Sequence, residues 1–409
     1  MKKIILVFLV SIVVVKAQAQ RIIKDHLVDD VSFLASDKLN GRATGTQDEL
    51  VAAKYIASKF EANHLKPLGN KGYYYDFKYK YNPKVHDTST TGIREKRGRN
   101  VLGFLDNQAA YTIVIGAHYD HCGLGYDHNS LDANPQGKIH NGADDNASGV
   151  AGVIELARYF STNGIKEKYN FLFMTFSGEE LGLIGSKKWC EKPTMPLSNI
   201  NCMINMDMIG RLNDTTHKLI VYGVGTSSAW KPSLSKVNHS FSIKQDSSGV
   251  GPSDQTSFYL KDIPVLHFFT GQHSDYHKPT DDMDKINYVG EASVLELIVD
   301  LVMDLNEQPK LSFYKTKSPE STTSSFKVTL GVMPDYAFEG KGLRLDGVTD
   351  DKPASKAGLQ QGDIIIRMGD STIETIQDYM KVLGQHKKGD SLEILIQRGS
   401  QQMWKTVTF

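Results

Sequence analysis

The chain has 409 residues, 40% of them hydrophobic and 23% charged, which exceeds the usual single domain and is ordinary for a folded protein with a sizeable core. Lys plus Arg and Asp plus Glu both number 47, so no basic surplus points to nucleic acid or an anionic membrane as the main partner, and disorder is excluded. The three cysteines, Cys122, Cys190 and Cys202, are too few for a disulfide-stapled scaffold or a four-thiolate zinc ribbon, so any metal must be held by histidines and carboxylates.

Lys2 and Lys3 precede an apolar run from Ile4 to Val15, followed by Ala17-Gln18-Ala19. The run is short for a membrane span and the small residues suit cleavage before Gln20, so residues 1–19 read as a signal peptide, with an uncleaved anchor as the alternative. No Cys follows the run, which argues against a lipoprotein, and no second segment of spanning length appears. The expectation is an exported protein, periplasmic or extracellular, with no stable membrane span after cleavage. Cys190 and Cys202 can pair, leaving Cys122 free; the redox state stays open at this point.

Apolar residues at Leu50, Ala53, Tyr55, Ile56 and Phe60 predict a helix over Asp48 to Phe60, and the polar stretch Pro83 to Asn100 reads as a loop. Four buried-strand-like runs follow: Thr112 to Ala117, Phe171 to Phe176, Cys202 to Met206 and Val265 to Thr270. Between the first two, Val150, Val153, Ile154, Ala157 and Phe160 predict a helix over Ala147 to Phe160, capped by Asn146 or Ser148. Strands alternating with helices imply an α/β sheet covered on both faces, with functional residues in the loops at the strand ends. Beyond Asn306 the composition shifts, and Lys315 to Ser325 has almost nothing apolar. The expected organisation is a first domain over 20–312, a linker over 313–325 and a small α+β domain over 326–409. The last contains a short helix around Ala354 to Ala357, a strand Ile364 to Ile366, a helix near Ile376 to Gln385 and a hairpin around Gly399.

Five motifs place metal-competent groups just after apolar runs or near them: His118-Tyr119-Asp120, Gly142-Ala143-Asp144-Asp145-Asn146, Glu179-Glu180, Asn205-Met206-Asp207-Met208 and Tyr276-His277. Singly each is weak, since a glutamate pair is usually a solvated loop and a lone histidine usually a hydrogen-bonded structural residue. Together, two histidines and several carboxylates at successive strand ends converge on one sheet edge, where like charges repel unless cations neutralise them. Imidazole and carboxylate are ligands for Zn²⁺ in catalytic sites, and two ions about 3.5–4 Å apart form the hydrolytic clamp that aminopeptidases use.

The ordered set His-x-Asp, Gly-Ala-Asp-Asp-Asn-Ala-Ser-Gly, Glu-Glu, Asn-Met-Asp-Met and Tyr-His-x-Pro-Thr-Asp resembles the secreted dizinc aminopeptidase family, which includes glutamate carboxypeptidase and glutaminyl cyclase relatives. The likeness runs from about Asp29 to about Asn306 and takes in Gly41-Arg42-Ala43-Thr44-Gly45-Thr46. It implies the zinc exopeptidase fold, a mixed and mainly parallel sheet between helical layers. It also implies two zinc ions, with Asp145 bridging both, His118 and Asp207 completing one set, and Glu180 and His277 the other. Glu179 becomes the general base, and the Asp145-Asn146 bond is expected to be cis. Asp120 is placed to accept the second ring proton of His118 and fix its tautomer. Asp144 is the rival of Asp145 for the bridge. His121, His128, His140 and His273 inherit no role and read as rim or solvated residues. Several relatives carry an oxyanion-stabilising Tyr before the last strand, and the stretch Gln245 to Asp254 has none; Ser248, Ser253 and Tyr276 are the local donors. The loop Gly123 to His140 is expected to rim the cleft.

The segment Pro353 to Ile365 resembles the core of PDZ domains of bacterial exported proteases, with Leu330-Gly331-Val332 where a carboxylate-binding loop and edge strand belong. Such an edge accepts a peptide as an added strand, so a C-terminal peptide is one expected ligand; packing against the first domain is the alternative role. The resemblances together imply an exported zinc aminopeptidase acting on peptide substrates. The alternatives are a carboxypeptidase, a glutaminyl cyclase, and a catalytically idle peptide-binding protein.

Overall fold

A computed structural model describes residues 21–81, 94–127, 129–132, 134–316, 328–334, 340–348, 352–374 and 376–409. The expected signal peptide, residues 317–325 of the expected linker, and His128 lie outside the described residues. The first sheet has nine strands: β1 (Lys66–Pro67), β2 (Tyr74–Tyr81), β3 (Arg94–Leu105), β4 (Thr112–His118), β5 (Asn170–Phe176), β6 (Ile200–Met206), β7 (Lys218–Tyr222), β8 (Ser242–Gln245) and β9 (Val265–Phe269). Every residue of β4, β5, β6 and β9 is buried, which is why their sequences run apolar without alternation. These four lie side by side in the order β5-β4-β6-β9, all parallel, with β3 antiparallel beside β5 and β7 antiparallel beside β9. Their C-terminal ends therefore meet along one edge.

The helices are α1 (Lys24–Leu34), α2 (Gln47–Ala62), α3 (Gly149–Thr162), α4 (Ile184–Glu191), α5 (Trp230–Val237), α6 (Gln255–Tyr259) and α7 (Tyr288–Leu305). Successive residues of a strand point to opposite faces. On one face Ile113, Ile115, Phe171 and Phe173 pack with α2, α3 and α7, and Phe160 stacks on Phe171 with ring centroids 4.3 Å apart. On the other, Val114, Leu172, Met174 and Phe176 pack with Trp189 of α4 and Phe258 of α6. Cys202 belongs to the first layer and Cys190 to the second, so the sheet separates them; all three cysteines are free and buried, and of the states left open by the sequence the unpaired one is found.

The loop expected over Pro83 to Asn100 is a strand from Arg94 onward. Its first residues pair with β2 in an outlying antiparallel ribbon from Arg94↔Tyr81 to Val101↔Tyr74. A two-stranded ribbon with an exposed face tolerates Arg94, Glu95, Lys96 and Arg97, which hide the strand from a hydrophobicity pattern. Asn146, one of the two expected caps, accepts a hydrogen bond from Gly149 N at 2.9 Å and opens α3, which starts two residues later than expected. Helix α2 begins with Thr46 accepting from Glu49 N, while the Glu49 carboxylate accepts from Gly45 N at 2.7 Å, a reciprocal capping arrangement.

The first residues of the expected linker are docked on this domain: Tyr314 N donates to Thr226 O, and Thr316 N donates to the Tyr259 hydroxyl. A second, wholly antiparallel sheet follows, from β10 (Val332–Pro334), β11 (Leu343–Val348), β12 (Ile364–Met368), β13 (Ser371–Thr372), β14 (Ser391–Arg398) and β15 (Gln401–Thr408), with α8 (Pro353–Lys356) and α9 (Ile376–Leu383). It has its own core of Leu330, Leu343, Leu345, Ile365, Ile394, Ile396 and Val407. Arg398 forks onto the buried Asp363 at 2.7 and 2.8 Å and also donates to Gly358 O, tying the hairpin to the turn before β12. Strand β10 forms one edge of this sheet. Among the described residues no helix is long and apolar enough to cross a membrane.

Candidate metal centre

The parallel strands deliver His118 at the end of β4, Glu179 and Glu180 three and four residues beyond β5, Asp207 directly after β6, and His277 on the segment after β9. Asp145 comes from the turn Ala143–Ser148 that leads into α3. These side chains meet in two triads that share one residue: His118, Asp145 and Asp207, and Asp145, Glu180 and His277. His118 Nε2 lies 3.3 Å from Asp145 Oδ1 and 3.4 Å from Asp207 Oδ1; His277 Nε2 lies 3.1 Å from Asp145 Oδ2 and 3.2 Å from Glu180 Oε2. Two ligand atoms each about 2.0–2.1 Å from a tetrahedral zinc ion sit roughly 3.3–3.4 Å apart. Asp145 Oδ2 is buried and has no hydrogen-bond partner, a position that a cation between the triads satisfies. Among the described residues no Lys or Arg pairs with these carboxylates; Arg42 is the nearby fixed cation. The donor set and its spacing fit zinc.

Asp144 and Asp145 are neighbours with different surroundings. The Asp144 carboxylate accepts from Gly210 N at 2.7 Å and Ser148 Oγ at 3.1 Å and contacts His273 Nε2 at 3.1 Å, so its oxygens are engaged elsewhere. Asp281 accepts from the backbone N–H groups of both residues and holds the turn. The Asp145-Asn146 peptide is cis. Gly142 precedes the turn at φ +57°, and a Cβ there would lie 2.2 Å from Asp145 O and 2.5 Å from the His121 ring, so glycine is required.

The tautomer of His118 is set differently from expectation. Its Nδ1 lies 3.1 Å from the Asp120 carbonyl oxygen and 3.8 Å from the Asp120 carboxylate, so the carbonyl is the hydrogen-bond acceptor. The carboxylate turns instead to Glu179 N at 3.1 Å and Thr44 Oγ at 2.7 Å, and so anchors the segment carrying Glu179. Glu179 Oε2 stands 3.9 Å from His118 Nε2. Burial and the neighbouring Glu180, Asp207 and Asp254 carboxylates raise the Glu179 pKa well above its usual range, against the pull of His118. Burial lowers the pKa values of His118 and His277, yet the surrounding carboxylates more than offset it and leave both well above the usual histidine range. Burial raises that of Glu180, and His277 outweighs it and brings the value to about 2.

Three histidines expected at the rim are not there. His121 and His140 are buried, His273 is nearly so, and all three are hydrogen-bonded. The two ends of the loop 123–140 are docked inward, through Gly123 N to Gly41 O and His140 N to Gly123 O, while Tyr126, Asn134, Gln136 and Lys138 between them are exposed. That loop also grips His277: Asn129 O lies 2.6 Å from its Nδ1, and Ser130 Oγ and Leu131 N both donate to its carbonyl oxygen. Arg42 is fully buried and donates to the carbonyls of Tyr119, Leu34, Asn141 and Gly142, joining the two loops that carry His118 and Asp145. Its role was invisible in the sequence beyond the motif that contains it. Of the local oxyanion candidates, Ser253 is buried on Asn205, Ser248 Oγ donates to Val250 O, and Tyr276 lines the cleft stacked on His277. The cleft is lined by His118, Asp145, Glu179, Asp207 and His277 together with Met208, Tyr222, Pro252, Phe269, Gln272 and Tyr276.

A sheet edge carrying two histidine–carboxylate triads beside a cleft is a site suited to holding metal ions against a bound substrate. Residues 100–302 match the profile of Peptidase family M28 and residues 324–408 that of the PDZ domain, so the chain carries an M28 peptidase domain followed by a PDZ domain. A probable zinc metalloprotease from Pyrenophora tritici-repentis is 40% identical over 100 residues, 24% of this chain. The chain spans only 20% of that relative's length. Among solved structures, an aminopeptidase from Aneurinibacillus sp. strain AM-1 has 18% identity and a TM-score of 0.52, covering 72% of this chain and 95% of its own. A Bacteroides thetaiotaomicron glutaminyl cyclase has 17% identity and a TM-score of 0.54, covering 71% and 99%. These structures share the fold.

Proposed function

We propose that the protein is an exported, zinc-dependent aminopeptidase holding two ions, which removes N-terminal residues from peptides, with a C-terminal module that binds peptide. The observation that carries this reading is the pair of ligand triads joined through Asp145 with Glu179 beside them and outside both. His118, Asp145 and Asp207 would hold one ion, and Asp145, Glu180 and His277 the other. When bound, the ions supply Lewis-acid polarisation of the scissile carbonyl and make water nucleophilic near neutral pH. Glu179 takes the proton released by the attacking water and delivers it to the leaving amine, the step its position beside the triads suits. Asp120 and Thr44 hold the Glu179 segment in register through the hydrogen bonds described above. Met208, Tyr222, Phe269 and Tyr276 exclude water from one wall of the cleft and receive a substrate side chain.

The complete His118 set favours hydrolysis over cyclisation, because a second full ion site serves water activation. The test is hydrolysis of free and N-acetylated aminoacyl substrates by the mature protein before chelation, after it, and after zinc is restored. Zinc-dependent cleavage of free-amine substrates alone is the expected result. Zinc-dependent cleavage of blocked peptides would move the reading to a carboxypeptidase, and release of cyclised N-terminal glutamine without hydrolysis would move it to a cyclase.

A further inference from the structure

The carboxylate of Glu180 has two oxygens, and the structure gives them different neighbours. Oε2 faces His277 at 3.2 Å, a spacing two ligands of one ion adopt. Oε1 lies 2.8 Å from Nδ1 of His121, which is too short for two ligands on one ion and normal for a charge-assisted hydrogen bond. His121 is 1% exposed, so water does not compete for this contact. A carboxylate oxygen only accepts, so Nδ1 carries the proton; Nε2 is buried without a partner. The ring also stands edge-on to His277, with centroids 5.6 Å apart and planes at 78°. Its backbone N–H donates to Arg42 O at 3.3 Å, which fixes the loop that presents it. Cys122 Sγ is 3.9 Å from the same Oε1, at the outer limit of a sulfur hydrogen bond and too weak to replace His121.

We infer that His121 is a positioning residue for the second triad: its Nδ1–H holds Glu180 Oε1, leaving Oε2 as the single ligand atom, while its ring braces His277. This rests on the two-ion reading above. Without the donor, Glu180 is free to rotate, either chelating with both oxygens or leaving the ion, and the second triad loses affinity while His118, Asp145 and Asp207 keep theirs. Removing such an outer partner weakens metal binding by about 10–100-fold.

The test uses the full mature chain, zinc-loaded, dialysed against graded chelator and analysed for zinc per chain, with circular dichroism to check folding. Wild type is expected to hold two ions. H121F, which keeps an aromatic ring and loses the donor, is expected to release one ion at a chelator concentration about 10–100-fold lower and to keep the other. H121N, which retains an N–H near the Nδ1 position, is expected to recover much of the difference. A folded H121F that holds both ions as wild type does, or releases both together, overturns the inference alone. Fewer than two ions in zinc-replete wild type overturns the two-ion reading and this inference with it. Three ions would mean that His121, Cys122 and Glu180 form a site of their own, which also overturns it. A measurement on wild type covers the case of an unfolded variant: histidine ring ¹⁵N spectra of the zinc-loaded protein should show His121 as the Nδ1–H tautomer with neither nitrogen bound to metal. A metal-bound shift at either His121 nitrogen refutes the assignment.

Discussion

Replacing Arg42 by Met keeps most of the side-chain volume and removes every donor. Four carbonyl oxygens, those of Tyr119, Leu34, Asn141 and Gly142, then lose a charged partner in a fully buried setting. Each orphaned buried acceptor costs about 1–3 kcal/mol. Relief of the guanidinium's own desolvation, evident in burial pulling its pKa down to about 10, offsets part of this. A net loss of about 3–5 kcal/mol is expected, the range for breaking a buried charged network. At roughly 2–4 °C per kcal/mol this lowers the unfolding temperature of the peptidase domain by about 6–20 °C. Differential scanning calorimetry on zinc-free protein reads it without the added stabilisation of bound ions. Arg42→Lys, with one ammonium for four diverging acceptors, should fall between wild type and Met. A Met variant melting within 2 °C of wild type, or a Lys variant less stable than Met, would show that the carbonyls are satisfied in other ways and that Arg42 does not tie the two ligand loops together.

Glu179→Gln should reduce kcat by about 100- to 10,000-fold while zinc per chain stays at the wild-type value; a parallel loss of zinc would move Glu179 into the ligand set. Glu49 is buried, and burial together with Asp120 raises its pKa from 4.5 to about 8. The folded state therefore holds this proton more tightly than the unfolded chain, so the contribution is fully present below pH ~4.5 and is lost as pH rises through about 8. Chemical denaturation of zinc-free protein should show wild type losing up to about 5 kcal/mol relative to Glu49→Gln over that window, and parallel pH curves for the two proteins would contradict it. Phe173 is fully buried between Phe60 and Phe171, and Phe173→Ala should destabilise the peptidase domain by about 3–5 kcal/mol in urea titration; a loss under 1 kcal/mol would mean that the layer over the sheet repacks freely.

The strands that lead to the candidate site were legible because a parallel strand buried on both faces is predominantly apolar without alternation, as β4, β5, β6 and β9 are. Their polar successors then had to lie at one edge, which is where the structure places His118, Glu179, Glu180, Asp207 and His277. The ribbon strand β3 escaped because its outer half has an exposed face and needs no apolar run. His121 and His140 were misread since the burial of the segments that carry them depends on contacts with Gly41 and Arg42, far away in sequence. The choice between the carbonyl and the carboxylate of Asp120 was equally closed to sequence, because both atoms of one residue lie within reach of His118 and only the rotamer decides. Whether Cys190 and Cys202 pair depended on which face of the sheet each occupies, and twelve residues of spacing carry no such information.

The ligands of the second triad are contributed by the turn before α3, the segment after β5 and the segment after β9. β9 is the last strand of its sheet to be synthesised, although it lies in the sheet's interior between β6 and β7. A growing chain that ends before Val265 therefore lacks His277 and leaves a gap beside β6, however complete its earlier helices are. β9 fills that gap, and the segment after it carries His277 to the other two members of the triad. A zinc titration of C-terminally shortened chains should therefore separate chains that end before Val265 from chains that extend beyond His277.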